Sequence, residues 1–187
     1  MEFCDSSLDN CFPKYGEPKK YQGSLPTTFT MLHQLAQGLQ YIHSKNIVHR
    51  DIKPGNVLIS RGPPCLLKWG DFGLSKPVSD HGSFSLSGVK GTEIWLAPEI
   101  QILLKKLRDN LDAVKTLEIS KMLEGERGNV SSDLFSAGCL FFFLLFGGTR
   151  HLFGDPSEIP ANIVKYGDSE DNKPINLDSE LRFFLFD

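Results

Sequence analysis

The chain has 187 residues, 40% hydrophobic and 23% charged, with a formal net charge of −3 and a pI near 6.0. That length suits one domain or one large lobe with a substantial core, and nothing in the near-neutral balance suggests the basic surface that nucleic acid or an anionic membrane would need. The four cysteines (Cys4, Cys11, Cys65, Cys139) show neither CxxC spacing nor a His/Cys cluster, which argues against zinc and for reduced thiols in an intracellular setting.

Met1-Glu2-Phe3-Cys4 is followed at once by polar residues, so no secretory leader is expected here. Residues 5–26 carry Pro13, Gly16, Pro18, Gly23 and Pro26 among polar and charged residues, which predicts a loop, or a short helix with an irregular connection, outside the core. From Thr27 to Ser44 the residues Phe29, Leu32, Leu35, Ala36, Leu39 and Ile42 recur every three or four positions, the apolar face of a helix. His33 and His43 on this helix read as surface or packed side chains rather than ligands.

Val57-Leu58-Ile59 and Cys65-Leu66-Leu67-Lys68-Trp69 flank a turn at Gly62-Pro63-Pro64, which predicts a hairpin bringing Asn56 close to Asp71. Residues 75–91, rich in Ser and Gly, predict a mobile loop. Residues 101–128 alternate apolar and charged side chains and predict an exposed, partly helical stretch. The apolar run Ala137–Phe146 falls well short of the roughly 20 residues a membrane span needs. It predicts a core helix from about Ser132 to Phe146 that buries Leu134, Phe135, Leu140 and Phe141, and no membrane segment. Beyond Gly147 come Pro156, Pro160, Pro174, an acidic patch at Asp168–Asp171, and an apolar end, Leu181–Phe186, that calls for a partner.

The residues with the most chemistry gather in His49-Arg50-Asp51-Ile52-Lys53-Pro54-Gly55-Asn56, and Asp71-Phe72-Gly73 follows. A carboxylate that can accept a hydroxyl proton, an ammonium facing a phosphate and two oxygen ligands for Mg²⁺ are what phosphoryl transfer requires. The stretch matches the kinase pattern HRDxKPxN at every fixed position, and Gly91-Thr92 and Ala97-Pro98-Glu99 follow in the expected order. The chain therefore resembles the eukaryotic protein kinases. Lys53 together with Thr92 resembles the serine/threonine branch.

Three longer stretches narrow the resemblance: Ser83 through Glu93 before Trp95, Phe135-Ser136-Ala137-Gly138-Cys139, and His151-Leu152-Phe153-Gly154-Asp155 with Ala161-Asn162-Ile163. They are similar to the kinase domain of the inositol-requiring-enzyme family, sensor kinase/endoribonucleases of the unfolded-protein response in endoplasmic-reticulum stress. The resemblance implies a mainly α fold with a small β component: a kinase C-terminal lobe, the N-terminal lobe being absent. Residues 1–187 would then be a partial kinase domain (hinge and C-lobe), with an insertion over residues 100–130.

By the same resemblance Asp51 and Lys53 are catalytic, Asp51 orienting and deprotonating the acceptor hydroxyl and Lys53 facing the γ-phosphate. Asn56 and Asp71 would hold Mg²⁺. Glu2, Phe3 and Cys4 would form the hinge, with Met1 at the gatekeeper position, and together with Leu58, Lys53, Asn56 and Asp71 would meet ATP. His49 and Phe72 would pack together, and Asp133 would support the catalytic loop. Arg50 would receive a phosphate from Ser83, Ser85 or Ser87. The implied partners are ATP, a protein substrate and a second copy of the longer protein on the cytosolic face of the endoplasmic reticulum, with no nucleic-acid site in this chain. Neither G-x-G-x-x-G nor V-A-I-K occurs in these residues. The groups that grip the α/β-phosphates in the family are thus not among them, which leaves open a non-catalytic interaction module or a truncated pseudokinase.

Overall fold

The computed structural model describes residues 3–12, 20–60, 62–79, 83–85, 91–109 and 127–168. A small antiparallel sheet is built from β1 (Cys4–Ser7), β3 (Val57–Ser60) and β4 (Leu67–Trp69) in the order β1-β3-β4. The hairpin β3–β4 pairs Val57 with Trp69 and Ile59 with Leu67, so Asn56 and Gly70 leave it at the same end. Two short ladders join β2 (Ile47–Val48) to β5 (Lys76–Pro77) and β6 (Ser83–Ser85) to β7 (Arg127–Asn129).

Four helices carry the rest: α1 (Thr28–Ser44), α2 (Pro98–Asp109), α3 (Val130–Leu145) and α4 (Ile159–Asp168). The Thr27 hydroxyl caps α1 by accepting from Thr30 N at 3.2 Å, and the Asn129 side chain caps α3 through Ser131 N at 2.8 Å. Among the described residues no helix is long and apolar enough to cross a membrane.

The face that α1 buries is rotated from the one its spacing predicts. Met31, Leu35, Leu39 and Ile42 point into the core, while Ala36 and Phe29 face out, Phe29 stacking on His33. Trp69 decides the rotation. Its indole Nε1 donates to the Leu35 carbonyl at 3.0 Å, and its ring lies over Gly38, where a Cβ would come within 2.9 Å of Cδ1. Each fully buried aliphatic side chain here contributes about 1.5–3 kcal/mol before entropy costs.

Four further expectations change. Residues 5–26 are not outside the core: after β1 a 3-10 turn, Leu8–Cys11, seats Leu8 and Cys11 in the main apolar cluster. Two buried apolar residues in a polar segment carry no periodicity to betray them. Residues 101–128 begin as a well-packed helix, with Gln101 and Leu103 buried in α2; residues 110–126 lie outside the described residues. On α3 Asp133, Ser136, Ala137, Cys139, Leu140, Phe142 and Leu144 are buried, most of the helix circumference, and Leu134 stands 55% exposed on the narrow stripe it shares with Gly138 and Leu145. The loop predicted over 75–91 contains β5 and β6, and residues 80–82 and 86–90 lie outside the described residues, as do 169–171 and Leu181–Phe186.

His151 packs edge-on against Trp95, 4.8 Å between ring centres. Its Nδ1 accepts from Phe153 N at 3.2 Å, so the proton sits on Nε2, which is buried and has no hydrogen-bond partner among the described residues. Burial pushes the imidazole pKa down to about 4. The folded value lies below the unfolded one of about 6.5, so the unfolded chain binds more protons between them. The resulting stability is fully present above pH 6.5 and is lost as pH falls toward 4. Urea unfolding should show His151 costing on the order of 2 kcal/mol between pH 7 and pH 5, and His151→Phe should remove that part of the pH dependence. Equal pH slopes in the two proteins would refute the assignment.

Candidate active site

The stretch His49–Asn56 runs from β2 to β3, and its backbone is held from α3. Asp133, 2% exposed, accepts from His49 N at 2.7 Å through Oδ2 and from Arg50 N at 2.9 Å through Oδ1. Its Oδ2 also meets His43 Nε2 at 2.9 Å. This matters because Arg50 has φ +67°, a left-handed conformation costly for a residue with a long side chain. Two charge-assisted bonds from one carboxylate hold the backbone there. The Arg50 side chain turns back along the chain, and its Nε donates to the Leu74 carbonyl at 2.5 Å.

Asp51 is buried and four donor contacts close around its carboxylate. Oδ2 lies 2.7 Å from Lys53 Nζ and accepts from Asn56 Nδ2 at 2.8 Å. Oδ1 accepts from Thr92 N and from Thr92 Oγ1, both at 3.0 Å. The Thr92 hydroxyl in turn accepts from Lys53 Nζ at 2.6 Å, which closes a ring of three side chains. Burial pushes the Asp51 carboxyl up, but the hydrogen bonds from Lys53, Asn56 and Thr92 and the charge on Lys53 outweigh it and hold the pKa below the usual carboxylate range. The group is therefore an anion at neutral pH, oriented on both oxygens. Gly91 makes the approach of Thr92 possible: its φ is +115°, and a Cβ there would come within 2.8 Å of the Arg50 carbonyl oxygen.

Asn56 and Asp71 flank the open end of the β3–β4 hairpin, where Gly70 N donates to the Asn56 carbonyl at 2.8 Å. The Asn56 amide nitrogen is committed twice to Asp51, to the carbonyl and to Oδ2, which turns its side-chain oxygen away from that residue. Asp71 is exposed, adopts φ +57°, and accepts from Gly73 N at 3.2 Å through Oδ1. An amide oxygen and a carboxylate on adjacent strand ends are hard oxygen donors of the kind Mg²⁺ takes, with water completing its octahedron. No cluster of three or more His, Cys, Asp or Glu side chains suited to a metal occurs among the described residues. Behind the hairpin end, His49 Nε2 donates to the Gly70 carbonyl at 2.9 Å, and its ring lies 5.0 Å from that of Phe72.

The other residues of interest are scattered by comparison. Phe3 is 84% exposed, Cys4 opens β1 partly buried, and Leu58 is partly buried on β3 beside Gly70. Met1, Glu2 and Ser87 lie outside the described residues, and Ser83 and Ser85 sit on the β6 backbone. Thr92, with two bonds to Asp51, and His43, bonded to Asp133, are the site residues that sequence reasoning leaves out. The Gly91-Thr92 pair signals the first; nothing local signals the second, whose partner is 90 residues away.

A family model described as the protein kinase domain matches residues 1–181. The serine/threonine-protein kinase/endoribonuclease IRE2 of Homo sapiens is 38% identical over 171 residues, 88% of this chain and 16% of the relative. The corresponding ire-1 protein of Caenorhabditis elegans is 33% identical, covering 95% of this chain and 16% of the relative. The sensor for unfolded proteins in the ER of Schizosaccharomyces pombe is 33% identical over 88% of this chain. The chain spans 16% of the length of these relatives.

Asp133 is the group whose loss the geometry makes most costly. Asp133→Ala orphans two buried N–H groups at about 1–3 kcal/mol each, so a destabilisation of about 3 kcal/mol is expected in urea unfolding. Asp133→Asn, which keeps one acceptor oxygen, should lose less. A loss below about 1 kcal/mol in Asp133→Ala would show that solvent replaces the carboxylate.

Proposed function

This chain belongs to the protein kinase family, and from that premise we propose that it serves ATP-dependent transfer of a phosphoryl group to serine and threonine hydroxyls of proteins. A second copy of the same protein is among the proposed acceptors. The observation that carries this reading is the Asp51 carboxylate, fixed on both oxygens by Lys53, Asn56 and Thr92 beside the donor pair Asn56 and Asp71.

In this reading Asp51 orients the attacking hydroxyl and takes its proton as the bond to phosphorus forms. Its lowered pKa makes it a weak base, which suits a loose transition state in which the proton leaves late and positioning dominates. Lys53, within reach of both Asp51 and Thr92, stabilises the charge spread over the transferred group. Asn56 and Asp71 would hold Mg²⁺, which when bound offsets the negative charge of the phosphates. Phe3 and the backbone of Glu2 and Cys4, with Leu58, would border the adenine. Ser83, Ser85 and Ser87 are the proposed regulatory phosphorylation sites, with Arg50 as the receiving cation. Residues 100–130 would be an insertion within the kinase pattern.

The relatives are named as kinase/endoribonucleases and as an unfolded-protein sensor, which supports a place in unfolded-protein signalling at the cytosolic face of the endoplasmic reticulum. Ribonuclease activity is not carried over to these residues. The absence of G-x-G-x-x-G and V-A-I-K within them favours a second reading, a kinase-like interaction module that transfers nothing.

Two measurements separate these readings. In the native-length protein Asp51→Asn keeps an oxygen for Thr92 but turns an N–H₂ donor toward Lys53 and Asn56. Autophosphorylation from Mg·ATP should then fall about 10²–10⁴-fold with the fold retained, and unchanged turnover would remove Asp51 from the role. Residues 1–187 alone should bind Mg·ATP more weakly than micromolar by calorimetry, because they lack the family's phosphate-gripping motifs; micromolar affinity would contradict this.

A further inference from the structure

Glu93 follows Thr92 directly in the chain, and α2 holds it at two points. Its carboxylate receives both terminal nitrogens of Arg108, Nη1 to Oε1 at 2.7 Å and Nη2 to Oε2 at 2.9 Å. Its carbonyl oxygen accepts from the side-chain amide of Gln101, which is only 3% exposed, and from Leu96 N at 3.1 Å. Gln101 and Arg108 are two helical turns apart and so project from one face of α2. The 3-10 turn Glu93–Trp95 is closed onto Thr92 itself, since Trp95 N donates to the Thr92 carbonyl at 2.9 Å.

The pair is partly open to water, Arg108 at 55% and Glu93 at 37% exposure, and such pairs add little to stability. Its consequence is positional. A two-pronged guanidinium–carboxylate contact fixes the plane of the carboxylate as well as its distance, which a lysine could not do. The carboxylate it fixes is one residue from the group that makes two of the four donor contacts to Asp51. The hydrogen bonds from Arg108 hold the Glu93 carboxyl below its ordinary pKa, so the fork stays intact through the neutral range.

We infer that Arg108 is a positioning residue for phosphoryl transfer, holding Thr92 against Asp51 and Lys53 through Glu93 and so setting the orientation of the acceptor-side carboxylate. This rests on the reading of Asp51 given above. It gives α2, which opens inside the Ala97-Pro98-Glu99 signature and runs on to Asp109, a part in the acceptor side of the site.

The test compares isotope-labelled wild-type chain with Arg108→Gln, Arg108→Lys and the swapped pair Glu93→Arg with Arg108→Glu, by NMR. Two local readouts report the connection: hydrogen exchange at the Thr92 amide, and the titration midpoint of the Asp51 carboxyl carbon. In Arg108→Gln the Thr92 amide should exchange several-fold faster and the Asp51 midpoint should rise toward the ordinary aspartate value. The Leu39 amide in α1 should keep its protection. Arg108→Lys should fall between wild type and Arg108→Gln, and the swapped pair should restore both readouts. Unchanged Thr92 exchange and Asp51 midpoint in Arg108→Gln would overturn the inference. Equal loss of protection at Leu39 would also overturn it, by showing a general structural role. Phosphate transfer from Mg·ATP, assayed separately on wild-type native-length protein, tests the kinase reading itself, so the two failures are distinguishable.

Discussion

Everything around the loop His49–Asn56 depends on one buried carboxylate. Asp133 stands in the first turn of α3 and bonds the backbone of His49 and Arg50, 84 and 83 residues earlier in the chain. Burying an anion carries a desolvation cost of several kcal/mol, offset only when its oxygens are well satisfied. Here they are, by two backbone N–H groups and by His43. What the contact achieves is conformational: Arg50 is kept in a left-handed turn that its own preferences oppose, and that turn aims Asp51 toward Thr92. An apolar residue at position 133 could fill the space but could not hold the turn.

From that anchor the electrostatics of the site follow. Asp51 is pulled in two directions, burial favouring its neutral form and four donor contacts favouring its anion, and the donors win. A carboxylate in that state is a good hydrogen-bond acceptor and a poor base. The arrangement therefore suits chemistry in which alignment of the nucleophile matters more than early removal of its proton, as in a loose phosphoryl-transfer transition state. The same four contacts would restrain a carboxylate that had to swing or share its proton.

What could be read from the amino-acid order was whatever repeats locally. The hairpin announces itself through Gly62-Pro63-Pro64 between two apolar runs, and α1 through its three-to-four spacing. The direction in which α1 turns its apolar side was not readable, because Trp69, thirty residues away, settles it through the Leu35 carbonyl and the gap at Gly38. Leu8 and Cys11 were hidden for the same reason: a polar, proline-rich neighbourhood says nothing about what α1 and α3 lack. His49 through Asn56 stood out as chemistry because acid, base and amide sit within a few residues. The groups that hold them, Asp133, Thr92, Glu93 and Arg108, come from three other parts of the chain.

The acceptor side of the site is held together by contacts among the described residues themselves: Asp133 beneath, Thr92 and Glu93 beside, and the β3–β4 hairpin behind. Lys53 and Asn56, two of the groups proposed to face the nucleotide, belong to that network through Asp51 and Thr92. Asp51, Lys53 and Asn56 are held by contacts from the chain itself, the kind of preorganisation under which fixed charges accelerate a reaction without reorganising. A change at Lys53 or Asn56 should therefore disturb the Asp51 network together with the groups proposed to face phosphate and Mg²⁺. A change at Asp133 or Arg108 should disturb that network without touching the atoms that would meet adenine.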